Sequence, residues 1–157
     1  ATPHQLVIVA GRNQELAQTL RAHQWQHLTH VYDFVALPDL VHAVDVVASK
    51  AGGLTVSECM AAGKPIVFYG EAPGQEEGNR IYAMQAGAGL HAADAEQFVT
   101  YATMLLTHQA MRDTMGHAAR QLGMPDAAMA VAHEVQRLYT QAPITGQRGL
   151  LARVARR

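Results

Sequence analysis

A chain of 157 residues with 49% hydrophobic content has enough apolar material for one core of ordinary size and not for two. Its 12 Lys and Arg stand against 13 Asp and Glu, a net charge of −1, so it offers no field that would draw nucleic acid or another strongly charged partner. One cysteine, Cys59, excludes an internal disulfide framework and suits a reducing compartment, and no apolar run reaches the ~20 residues of a spanning helix; the expected location is cytoplasmic.

Short β-branched runs alternate with longer stretches of helical period. The runs are LVIVA at 6–10, HVYDFV at 30–35, DVVAS at 45–49, PIVFY at 65–69 and a weaker AGLHA at 88–92. Helical candidates fall near 13–24, 39–44, 55–62 and 78–86. From Ala95 the pattern is helical only, through EQFVTYATMLLTHQAMRDTMGHAARQLG and then PDAAMAVAHEVQRLY. This alternation predicts an α/β fold, a Rossmann-like doubly wound parallel sheet with a helical C-terminus. The domain is expected to span 1–142, with a basic tail at 143–157.

Ligands of such sheets collect beyond the carboxyl ends of the strands. Those ends are Gly11-Arg12-Asn13, Val35-Ala36-Leu37-Pro38, Ser49 to Thr55, and Gly70 to Asn79, and the fold reading puts them on one edge. In the third, AGGLTVSE, two glycines lie between a strand and a helix. They let the backbone come close to a ligand and present N–H groups that a first helical turn leaves unbonded. Gly52 and Gly53 are thus candidates for a phosphate cradle, and a tight packing turn is the alternative. Neither GxxxxGK[ST] nor GxGxxG is present. Thr55 and Glu58 fit a capping box, and Glu58 equally fits a carboxylate that accepts from a vicinal diol. In GEAPGQEEGN, Gln75 and Glu76 supply the donors and acceptors that read sugar hydroxyls, or simply dress a surface turn.

SKAGGLTVSECMAAGKPIVFY followed by PGQEEGNRIYAMQAGAG resembles the donor-binding, C-terminal half of the GT-B glycosyltransferases. These include the monogalactosyldiacylglycerol synthases, the processive diacylglycerol glucosyltransferases and the N-acetylglucosaminyltransferase of peptidoglycan lipid precursors. The likeness covers roughly residues 5–123. It implies a UDP-hexose donor, with Gly52, Gly53, Leu54 and Thr55 facing the pyrophosphate and sugar, and Glu58 holding the ribose. By the same resemblance Gln75 and Glu76 would contact the hexose and Asn79 would shape their loop. The backbone at Phe34 and Val35 would read the uracil, and Arg12 and Lys50 match basic positions that could neutralise departing phosphate.

In this resemblance no cofactor or metal is expected, because helix dipole and basic side chains stabilise the leaving UDP. The family's acceptor domain, its first donor-domain strand and a second glycine-rich loop have no counterpart in this sequence. The catalytic base belongs to that acceptor domain, so no catalytic residue is assigned and this chain alone is expected to bind without turnover. The implied enzyme is an inverting hexosyltransferase with a diacylglycerol-type acceptor, completed by an N-terminal domain or a partner subunit. Two other readings stay open: a non-catalytic sugar-nucleotide-binding subunit, and half of a sugar-nucleotide epimerase.

Other features carry less. His23, His27 and His30 would approach metal spacing only on a continuous helix, and no carboxylate or cysteine completes the set. Cys59 reads as a packed thiol, and the methionines at 104, 111, 115, 124 and 129 read as core filler. The tail QRGLLARVARR reads as a frayed basic terminus, or as a small amphipathic piece touching the inner face of a membrane.

Overall fold

The computed structural model describes residues 4–141. Along them alternate β1 (Gln5–Val9), α1 (Gln14–Ala22), β2 (Leu28–Tyr32), α2 (Leu37–Ala43), β3 (Val47–Ser49) and α3 (Gly53–Ala62). There follow β4 (Ile66–Tyr69), α4 (Gln75–Gln85), β5 (Gly89–Ala92), α5 (Ala95–Thr107), α6 (Gln109–Leu122) and α7 (Ala127–Gln141). All strand pairing is parallel, with Val7 opposite His30, and Val67 opposite both Ala48 and Leu90. The α/β, all-parallel expectation holds. Its strands are hydrogen-bonded as two ladders, β1-β2 and β3-β4-β5.

The second ladder is wound on both faces, as the alternation along β4 requires. Ile66 and Phe68 belong to a core with Val41 of α2, Val56, Cys59 and Met60 of α3, and Ala83 of α4. Val67, pointing the other way, packs with Ala92 of β5, Leu105 of α5 and Met115 of α6. Three consecutive residues of one strand thus hold two helical layers.

Sequence chemistry explains where α3 stops. Gly63 takes the left-handed conformation (φ 67°) that side chains avoid, and its N–H donates to the carbonyl of Met60. The Lys64 N–H reaches back to the Cys59 carbonyl at 2.9 Å, a Schellman closure, and Pro65 bars any continuation. The same closure ends α4, where Ala88 N–H donates to the Ala83 carbonyl at 2.9 Å beside Gly87 (φ 78°).

Some boundaries differ from expectation. β2 ends at Tyr32, so Phe34 and Val35 stand in the loop beyond it. α2 starts at Leu37 because Pro38 is accommodated in a first turn, where its missing N–H costs nothing. The helical run from Ala95 breaks at His108, which closes α5 and opens α6. Arg112 stabilises that break, Nη1 donating to the carbonyls of Leu105 (2.7 Å) and Leu106 (2.9 Å).

The described residues fall into two compact units that divide between Met124 and Pro125. Of the second, α7 is described: Glu134 and Arg137 pair on its surface, and Val131, Val135 and Leu138, at helical spacing, are exposed. Met115 is buried, as expected of core filler. Met124 and Met129 are not, at 76% and 58% exposure, since neither is drawn into a core cluster. No helix among the described residues is long and apolar enough to cross a membrane. The basic tail at 143–157 lies outside the described residues.

Candidate functional site

The corner after β3 is built from backbone. Gly52 is the N-cap of α3 (φ −64°, ψ 134°), and its carbonyl already accepts from the Val56 N–H at 3.0 Å. The helix therefore starts two residues before Thr55, which sits at the third helical position, and no side chain caps it. The expected capping box of Thr55 with Glu58 is not formed. As a result the N–H groups of Gly53, Leu54 and Thr55 have neither an intrahelical acceptor nor a side-chain one, at the positive end of the helix.

Both glycines have negative-φ backbones here. A methyl group on Gly52 would lie 4.0 Å from Glu76 Oε1, and one on Gly53 would lie 3.5 Å from Asn79 Nδ2. Those are ordinary contacts, so the chain's own packing does not call for glycine at either position. What the absent side chains leave open is approach to the amides from outside.

The second wall comes from α4, which begins at Gln75 behind Gly74 (φ 62°). Gln75 and Glu76 therefore stand in a helical first turn, where a loop was expected; the left-handed Gly74 makes the turn, and α4 begins immediately after it. Lys50 Nζ donates to Glu76 Oε1 at 2.6 Å, and Asn79 Nδ2 donates to the Ala51 carbonyl at 3.1 Å. These two bonds fasten the N-terminal turns of α3 and α4 together. Lys50, Gly52, Gly53, Leu54, Thr55, Glu76 and Asn79 thus form one constellation, with Gln75 exposed and unbonded beside it.

Glu58 lies on the same face of α3 as Leu54 and Thr55, being four and three residues on. Its Oε2 is fully buried and has no hydrogen-bond partner. Buried carboxylate oxygens rarely stay unbonded, because the water they give up has to be replaced by a donor. Next in sequence, burial pushes the Cys59 thiol up from 9.0 to about 12, the charge of Glu58 adding to the effect. A thiol so protonated is no nucleophile at neutral pH.

Arg12, Phe34 and Val35 belong to the other ladder. Gly11 N–H donates to the Asp33 carbonyl at 3.1 Å and Arg21 pairs with Asp33 at 2.9 Å, which ties the loops after β1 and β2 to each other. Phe34 is 77% exposed. Among the described residues no hydrogen bond or ion pair joins Arg12, Phe34 or Val35 to the corner at Gly52. Leu54 is likewise 82% exposed, an apolar side chain held out beside the free amides.

Two features were not foreseen. The Ala51 carbonyl is the anchor through which Asn79 acts, and no side-chain pattern marks a carbonyl. Arg80, which donates from Nη1 to His91 Nε2 at 2.7 Å and pairs with Glu77 at 2.5 Å, carries a faint signal in its i, i+3 spacing from Glu77. The histidines at 23, 27 and 30 do not share a helix, since α1 ends at Ala22 and His30 lies in β2. Among the described residues no group of three metal-ligating side chains is assembled.

Over residues 1–122 the sequence matches the family described as Glycosyl transferases group 1. The chain belongs to that family. As a glycosyl transferase group 1 domain it is 30% identical over 139 residues to monogalactosyldiacylglycerol synthase 3, chloroplastic, of Arabidopsis thaliana, covering 87% of this chain and 30% of that protein. To monogalactosyldiacylglycerol synthase, chloroplastic, of Spinacia oleracea it is 29% identical, again over 87% of this chain and 27% of that one. The chain thus spans under a third of these relatives.

In fold the group 1 domain is similar to the crystal structure of Acinetobacter baumannii MurG, with a TM-score of 0.69 at 23% identity, over 86% of this chain and 41% of that one. It is also similar to glycosyltransferase VinC in complex with DTDP, with a TM-score of 0.59 at 14% identity, over 87% and 43%. Both likenesses bear on architecture, which is that of one half of a GT-B fold.

Proposed function

We propose that this group 1 domain holds the UDP part of a UDP-hexose, as the donor-binding half of an inverting hexosyltransferase with a diacylglycerol-type lipid acceptor. The observation that carries the reading is the orphaned Glu58 Oε2 on the helix face that begins with three unbonded amides. A diphosphate offers acceptors to those amides, and a ribose offers two hydroxyl donors to the carboxylate. One nucleotide diphosphate therefore satisfies both deficits.

In this reading the amides of Gly53, Leu54 and Thr55 take the diphosphate, and Lys50 adds positive charge to the phosphate that departs. Glu76 exchanges part of its bond to Lys50 for a hexose hydroxyl, with Gln75 beside it. Asn79 keeps the two helix ends at a fixed spacing through the Ala51 carbonyl. Phe34 and Val35 contribute backbone to the uracil, and Arg12 lies along the phosphates. The amides and Lys50 carry the charge stabilisation, so the reading needs no metal or cofactor.

The intact enzyme acts at the cytoplasmic side, touching the membrane peripherally where its lipid acceptor resides. Its acceptor domain, on the same polypeptide or a partner subunit, supplies the base that deprotonates the acceptor hydroxyl, and this chain alone binds donor without transfer. UDP affinity is expected on the order of 0.1–1 mM. Calorimetric titration with UDP and ADP tests the reading. UDP should bind more tightly than ADP, and Glu58→Ala should weaken UDP by about tenfold, the loss of one charge-assisted diol contact. Equal affinity for UDP and ADP, or an unaffected Glu58→Ala variant, would overturn it.

A further inference from the structure

Two sets of bonds fasten the first turns of α4, leaving the helix about 100° apart around its axis. Glu76 and Asn79 reach toward β3, one to Lys50 and the other to the Ala51 carbonyl. Glu77 and Arg80 face β5, where Arg80 Nη1 meets His91 Nε2 at 2.7 Å and Nη2 meets Glu77 at 2.5 Å. His91 stands opposite Phe68 in the β4-β5 register, and Phe68 shares a core with Ala83 of α4. This is therefore the sheet face that α4 covers.

The tie to β5 is the better shielded of the two. Lys50 is 68% exposed, and an ion pair held that far out in water contributes little. Arg80 is only 19% exposed, and Glu77 already balances its charge. A guanidinium has nothing to accept with, so His91 Nε2 carries the lone pair, and the ring is neutral with its proton on Nδ1.

That requirement makes the tie conditional on a proton. Histidine is the side chain whose charge ordinarily changes between about pH 5 and 8. A second proton on His91 turns the lone pair into an N–H aimed at a cation, and the bond is left without an acceptor. The other charged groups toward His91 are carboxylates: Glu77 of α4, and Glu71, which lines the same shallow depression past β4 and β5. Either accepts from an imidazolium once Arg80 has swung away. Tyr69 packs instead on Phe98 of α5, and Asp94 is occupied in capping the Gln97 N–H.

We infer that His91 is a positioning residue for the candidate site. Neutral, it holds Arg80 and so fixes the first turns of α4, with Glu76 and Asn79, against the glycine corner; protonated, it releases them. The consequence for UDP rests on the nucleotide reading of that corner, whereas the tie itself does not.

The tie is tested in the ligand-free 157-residue chain by hydrogen exchange of the Asn79, Arg80 and Ile81 amides, as protection factors at pH 7.5 and 5.5. Protection should fall about threefold on acidification, the partial loss of one hydrogen bond. In His91→Gln, whose side-chain carbonyl accepts from Arg80 at either pH, it should stay constant. UDP is then titrated calorimetrically into both chains; because a terminal phosphate itself takes up a proton in this range, the two are compared at each pH. They should bind alike at pH 7.5, and the unaltered chain about threefold more weakly at pH 5.5. His91→Leu, which has no acceptor, should bind about threefold more weakly at both. Charge alone would act with the opposite sign, since an imidazolium draws an anionic ligand in. Protection that follows His91→Gln at both pH values, or UDP bound at pH 5.5 as tightly as by His91→Gln or more so, would overturn the inference. If the exchange difference is present and UDP binds none of the chains, the tie stands and the nucleotide reading falls.

Discussion

Gly53 separates two explanations of a glycine that look alike in sequence. A glycine kept for folding clashes when a methyl is added; here the nearest atom, Asn79 Nδ2, would be at an ordinary 3.5 Å. Gly53→Ala should therefore leave the denaturation midpoint unchanged or raise stability by up to about 1 kcal/mol, since alanine is the better helix former. The same variant should lower UDP affinity several-fold, because the methyl stands where a phosphate comes against the backbone. Calorimetry and urea unfolding on one preparation check both halves. Glu58 was legible only as an ambiguity: T-V-S-E serves a cap or a diol equally, and the helix had to be seen starting at Gly53 before the cap fell away. Cys59 makes a contrasting case, a residue whose burial decides its chemistry. With its folded-state value raised from 9.0 to about 12, the protonated thiol is favoured by folding. The stability it contributes is complete below pH 9.0 and is lost as pH rises toward about 12. At pH 8 iodoacetamide should label it slowly in the native chain and readily in urea; equal rates would contradict the burial.

At the scale of elements, the tightest packing is between α3 and α6. A methyl on Gly116 would come within 2.7 Å of the Gly63 carbonyl oxygen, and one on Gly123 within 2.5 Å of the Met60 carbonyl oxygen. Both obstacles are backbone and cannot swing aside. Gly116→Ala should cost about 1–3 kcal/mol by forcing the helices apart. In Gly78→Ala, whose added methyl has nothing within 4 Å, the midpoint should hold or rise, which makes it the matched control in urea unfolding. The order of strands and helices was legible because β-branched runs and helical periods differ in repeat, and every strand expected from that pattern is present. The break at His108 was not. No glycine or proline marks it, because Arg112 from the following helix bonds the carbonyls that a terminating residue would otherwise have to satisfy. Nor was the division into two ladders, since a buried strand's composition tells which faces are covered and not which neighbour it pairs with.

For the molecule as a whole, burial is unevenly shared. Both core clusters draw on residues from Leu37 to Leu122, while β1, α1 and β2 supply one fully buried side chain, Ala17. Leu6, Val7 and Ile8 remain half-buried in a strand whose composition suits full cover on both faces. Among the described residues β1 is bonded along one side, by β2. Its sequence QLVIV has no charge, no proline and no bulge to discourage an intruder. Such a margin accepts one further extended strand in register, so what lies along it decides how much of Leu6, Val7 and Ile8 is covered.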